Sequence, residues 1–481
     1  MLYLQFVMKE LIAHQRNLFA VLEELFERAT GTSPKKFAPL SQFTEKVRSL
    51  SSRATDVQKA FEWAEPELNR VYRTVEPYQH AAELGGIKAV MGGGAHFRTT
   101  QFAAAKRMVL YTDSVLIPDP IFALIEAERP EERFRSVRIL EEMFFILRLK
   151  PLVDADLGIP PVLVFPSFDR FLQQHDQTSR EKLTEFVGGT LGVLLNLPLT
   201  CIEDAVAFAT AHPEEFLDAV RVKQLLVAPG GPIGEPLDEA LRRYISEIGE
   251  WRTPSYMSFM SSLSDAQKVC NALLERLEPQ FHLIENSIAM RAQPLLSVEQ
   301  QAYYFKLCAA ACSDSLERRL TISATTRAMI DALATQQFEW LSNATIEALV
   351  EMRLNNENEH FRKRLAESTS ILRDADFEDI DRVAAEVASG IGGLLNDYRS
   401  EAKRLDEKYR RKYSGLAGAS WLSLGAFLIP YLAPLVAAVP GLTLAGKYAM
   451  TKIEETGERK DLANSLIGIL ANAQNDQGEA E

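Results

Sequence analysis

Five aspartates carry the most chemistry that spacing alone can suggest. Asp113, Asp119, Asp154, Asp156 and Asp169 fall near the ends of short apolar runs that read as strands. Carboxylates gathered at strand ends can hold Mg²⁺ and orient a water for phosphodiester cleavage. The competing reading is that they serve as turn and cap residues, since Asp beside Pro favours loops and helix starts. Convergence separates the two: a shared ion needs Asp113, Asp154 and Asp169 within a few ångströms of one another.

The other constellations fail on spacing. Gly441-Leu442-Thr443-Leu444-Ala445-Gly446-Lys447 has the skeleton of a phosphate-binding loop, but position 448 is Tyr, which lacks the short hydroxyl that Mg²⁺ requires. The histidines (His14, His80, His96, His175, His212, His282 and His360) form no HExxH pair and stand at no ligand spacing from a cysteine. Cys201, Cys270, Cys308 and Cys312 include no CxxC and read as buried thiols. Ser167 follows a candidate strand without the flanking glycines of a nucleophile elbow.

The stretch Val109-Leu110-Tyr111-Thr112-Asp113-Ser114-Val115-Leu116-Ile117 resembles the first strand of PIN-type ribonucleases, where an aspartate closes an apolar strand before a small hydroxyl residue. Glu203-Asp204-Ala205-Val206-Ala207-Phe208-Ala209 is similar to a later acidic helix of that family. The resemblance covers under a quarter of the chain and lacks the family's next strand-and-aspartate element. It implies Mg-dependent nuclease activity, with Asp113 among the metal ligands.

The elements that must position these residues are mostly helical. Leu4, Val7, Leu11, Leu18, Leu22 and Leu25 recur at helical spacing and predict a first helix that closes near Gly31 and Pro34. Residues 41–84 predict two further helical stretches, interrupted before Pro66 and Pro77. The glycines at 85–86 and 92–94 then read as a flexible joint. Met108–Tyr111, Val115–Ile117 and Pro161–Phe165 read as strands around a helix at about 130–149, a small α/β element over 108–176. Asp119 and Ser167 are its candidate N-caps. The loop Pro229–Pro236 is the clearest break, and helices follow from 237 to 375.

Two features near the C-terminus point to association. Ile380, Val383, Val387, Ile391, Leu394, Tyr398, Leu405 and Tyr409 form a heptad-like seam, with Ala402 filling a gap. It fits either an intramolecular bundle helix or a dimerising coiled coil. Residues 413–446 then carry no charged side chain, a window longer than the about 20 residues a spanning helix needs. Pro430, Pro434 and Pro440 break it, so two helices near 416–429 and 435–449 joined as a hairpin fit better than one span. Such a hairpin can dip into one leaflet or pack inside a protein. Six Lys/Arg lie in 401–412, interspersed with Glu401, Asp406 and Glu407.

The sequence therefore predicts a mainly α, multi-helix protein with a small embedded α/β element and a C-terminal hydrophobic helical hairpin. Its expected regions are 1–100 (helical), 101–228 (mixed α/β), 237–375 (helical) and 376–481 (long helix plus hairpin). Lys plus Arg total 53 against 66 Asp plus Glu, and this acidic balance disfavours nucleic acid as a partner. The start, Met1–Glu10, has no basic n-region, and the expected place is the cytoplasm or the inner face of a membrane. The expected function is non-enzymatic association with a protein partner, with other copies or with a membrane. Its alternative is the nuclease, which alone would need a cofactor, Mg²⁺.

Overall fold

The computed structural model describes residues 2–34, 43, 54–73, 76–92, 99–122, 132–166, 178–252, 254–296, most of 300–308, 345–374 apart from 358, and short stretches between 382 and 409. Fourteen helices of defined bounds and four strands lie among these residues, with further helical residues between 300 and 308, between 382 and 394 and at 404–409. The fold is predominantly helical around one small parallel sheet.

The helices α1 (Leu2–Thr30), α2 (Ala54–Val71) and α3 (Glu76–Glu83) precede strand β1 (Lys88–Met91). In α1 the apolar stripe at Val7, Leu11, Leu18, Leu22 and Leu25 is buried as its spacing predicts. Gly31, at φ 69°, ends the helix in the left-handed conformation, with its amide on Glu27 O. Helix α2 runs through Pro66 instead of stopping before it. Packing outweighs the lost hydrogen bond there: Ala64 and Leu68, on either side of the proline, are fully buried. Between α1 and α2 the Arg28 guanidinium lies 4.2 Å from the Trp63 ring centre.

Next come α4 (Thr99–Tyr111), β2 (Ser114–Pro118), α5 (Glu132–Leu147), α6 (Lys150–Asp154) and β3 (Val162–Phe165). Met108–Tyr111, expected as a strand, is the last turn of α4, because the helical phase set at Phe102 and Ala105 continues to the buried Val109. Phe43 stacks between Phe26 and Phe144, at centroid distances of 5.9 and 4.3 Å.

The helices α7 (Thr178–Leu195), α8 (Ile202–Ala211), α9 (Pro213–Val222), α10 (Leu237–Trp251), α11 (Pro254–Ser262) and α12 (Asp265–Ala289) lead to β4 (Gln293–Leu295). Helix α7 lies so close to the turn before α8 that a Cβ on Gly188 would sit 2.0 Å from the Cys201 carbonyl carbon. Helices α13 (Ile346–Leu354) and α14 (Glu359–Asp374) complete the set.

The strand order is β3-β2-β1-β4, all parallel, with Val90 opposite Leu116 on one side and Pro294 on the other. β1 to β3 are buried along almost their whole length, as a parallel sheet covered on both faces requires. The sheet draws strands from three of the four regions read from the sequence, and the glycine-flanked joint at 85–94 holds β1, one of its two inner strands. One core of buried apolar residues extends from Leu11 to Tyr409. Both sides of the Pro229–Pro236 loop belong to it, through Leu225–Ala228 before and Leu237 after. The hairpin expected within 413–449 lies outside the described residues.

Candidate functional site

In a parallel sheet that reverses its winding, the crevice outside the carboxyl ends of the strands at the reversal is the usual ligand position. Here β1 is followed by β2 on one side, while β4 joins on the other, so the reversal lies between β1 and β4. Gly92 follows β1 there, and its amide donates to Leu295 O at the end of β4. A Cβ on Gly92 would fall 2.4 Å from a Leu283 methyl, so packing as well as any ligand asks for glycine.

Beside this edge, at the end of β2, the buried Asp119 accepts from the Ile121 amide at 2.7 Å and the Phe122 amide at 3.4 Å through Oδ1. Its Oδ2 accepts from the Tyr72 hydroxyl. The first pair of bonds is the capping role expected for an aspartate between prolines. Tyr72 packs on Phe122 with ring centres 5.2 Å apart. Nearby, His14 Nε2 and the Tyr78 hydroxyl are 2.9 Å apart. Burial depresses the His14 imidazole to about 4. Burial, then the Asp119 charge, pushes the Tyr78 hydroxyl well above its usual range. Near pH 7 a neutral His14 and a protonated Tyr78 suit the hydrogen bond between them.

The amino end of β2 belongs to Asp113. Its Oδ2 accepts from the Ile87 amide at 2.8 Å, and its Oδ1 from Arg362 Nε at 3.2 Å. Gly86, at φ 84°, wraps so tightly around this carboxylate that a Cβ would meet Oδ2 at 2.3 Å. Arg353 donates to the carbonyls of Val109, Thr112 and Asp113. It thereby satisfies carbonyls at and just beyond the end of α4 with a positive charge, the sign that the helix dipole favours there. Burial, and then Arg362, lowers the Arg353 guanidinium to about 10.

Three of the five aspartates, Asp113, Asp119 and Asp154, thus take separate duties. Asp113 and Asp119 flank β2 at its two ends, about 20 Å apart at about 3.3 Å per residue. Asp154 is exposed and pairs with Lys150 at 2.7 Å, while its carbonyl accepts from Arg16. Asp156 is exposed, and Asp169 lies outside the described residues, as do Ser167, Cys312 and the Gly441–Lys447 stretch. Among the described residues no three His, Cys, Asp or Glu side chains form a group able to hold a metal ion. Cys270 and Cys308 are buried, and burial pushes the Cys270 thiol up to about 12.

Sequence spacing pointed to Asp113 and Asp119 but to none of their partners. Tyr72, Arg353 and Arg362 stand far away in the chain, in segments whose local pattern is ordinary helix or helix end. No protein family, no curated protein and no solved structure matches the chain.

Proposed function

We propose that this chain is a non-enzymatic interaction protein. Its C-terminal uncharged segment attaches it to a membrane, on the cytoplasmic face, or to other copies, while the α/β body recognises a partner or ligand. One observation carries the reading: residues 413–446 hold no charged side chain over a window longer than a spanning helix needs. The seam residues within the described set face inward: Val383, Val387, Leu405 and Tyr409 are buried, and Leu394 packs against the same core.

The inward packing of these described seam residues favours the bundle-helix reading over a dimerising coiled coil. Residues 413–446 begin four residues beyond Tyr409 and hold the longest uncharged stretch available for association. Among the described residues no helix is long and apolar enough to cross a membrane, and 413–446 lie outside them. Cell fractionation of the full chain and of a chain ending at Lys412 tests the proposal. The full chain should enter the membrane fraction or a larger assembly and the shortened chain should not. Soluble monomers in both cases end the reading.

The winding reversal between β1 and β4 supports the recognition half of the proposal, by analogy with other open α/β sheets. The sequence Gly92-Gly93-Gly94 following β1 suits close approach of a backbone to a phosphate-bearing small molecule. A thermal-shift panel of mono- and dinucleotides should raise the melting temperature for at least one class, and Gly94→Val should abolish that rise. A flat panel removes this half. The separated carboxylates Asp113 and Asp119 give the nuclease alternative no geometric support.

A further inference from the structure

Asp113 ties together three segments distant in the chain: the entry to β1 through the Ile87 amide, α14 through Arg362, and α13 through Arg353 on its own carbonyl. The turn between α13 and α14 holds a fourth segment. Glu357 Oε1 accepts from Lys408 Nζ at 2.7 Å and from the Tyr409 hydroxyl at 3.4 Å, and Arg404 lies 3.9 Å from Oε2. Asn355 Nδ2 donates to the Tyr409 hydroxyl at 3.1 Å. The two groups are joined, because Arg362 donates through Nη1 to the Glu357 carbonyl while its Nε holds Asp113.

We propose that residues 345–374 act as a latch, coupling the seating of the helix at 404–409 to the start of β1 by a polar path from Glu357 through Arg362 to Asp113 and the Ile87 amide. The path has few ways to yield gradually. Arg353 and Arg362 are both buried, so neither turns to water when its partner moves. The Asp113 carboxylate occupies the space that a Cβ at position 86 would need, so it lies close against the Gly86 backbone. At the far end Lys408 and Arg404 are exposed, so that contact is the one that opens first. Asn356, at φ 54°, turns the chain between α13 and α14 in a conformation that asparagine tolerates. Strain on the C-terminal helix therefore reaches the strand whose carboxyl end faces the winding reversal. In biological use this rests on the attachment reading above, where the strain would come from the engaged tail.

Hydrogen exchange, read peptide by peptide on the full chain, tests the coupling without any membrane. Glu357→Gln should speed exchange about fivefold or more in 345–374 and also in 84–92, while leaving 202–248 unchanged. Lys408→Gln, on an exposed side chain, should give the same pattern more weakly, and serves if Glu357→Gln does not fold. Faster exchange confined to 400–409, or spread equally over 202–248, overturns the latch. So does no change anywhere. Because the readout needs no attachment, soluble monomers in the fractionation experiment would leave a positive result standing, and a negative result here would leave attachment untouched.

Discussion

Gln15 lies under the outer edge of β3, where an open strand edge would invite pairing with another chain. Its amide donates to Val164 O and accepts from Val164 N, both at 2.8 Å, doing with one side chain what a neighbouring strand would do. Gln15→Leu leaves a buried donor and acceptor unpaired, and a loss of about 2–3 kcal/mol is expected in denaturant unfolding. His14, one residue earlier, contributes to the loss of stability in acid. Its folded pKa of about 4 lies below the ordinary 6.5, so the unfolded chain binds more protons between these values. The stability it contributes is complete above pH 6.5 and falls away as the pH drops toward 4, by about 2 kcal/mol after allowance for its partial exposure. His14→Gln should flatten that limb of a stability-against-pH curve. At this scale only what is local was legible. Asp119 shows its capping role in the Pro118-Asp119-Pro120 triplet, whereas Arg353 meets Asp113 across 240 residues and no nearby pattern announces the pairing.

Among the elements, helices carried the clearer signal because their apolar period repeats over many residues. The stripe of α1 is visible from Val7 to Leu25, and Gly31 marks its end. β2 and β3 were legible as β-branched runs closed by proline. β1 and β4 were not, since Lys88-Ala89-Val90-Met91 and Gln293-Pro294-Leu295 are too short to show a period and gain their character from neighbours in the sheet. Met108–Tyr111 failed for the opposite reason, being an apolar run that belongs to a buried helix end. Helix α7 offers an internal control for packing against propensity. Gly188→Ala drives a Cβ into the Cys201 backbone and should cost about 2 kcal/mol or more, while Gly189→Ala enters open space and should gain up to about 1 kcal/mol from helix propensity. Thermal melts of the two variants should move in opposite directions.

Over the whole molecule, helical content and a small α/β element follow from the sequence pattern, while the sheet gathers strands from segments far apart in the chain. Strands from residues 88–91, 114–118, 162–165 and 293–295 come together because burial, and not chain proximity, decides the pairing. The same burial claims the C-terminal seam through Leu405 and Tyr409, which leaves the uncharged 413–446 window as the attachment segment in this account. Flotation of purified protein with vesicles containing anionic lipid, paired with sedimentation in their absence, tests that claim most directly. The full chain should float with the vesicles or sediment as an oligomer, and the chain ending at Lys412 should do neither. If the full chain stays at the bottom of the gradient as a monomer, the account is contradicted.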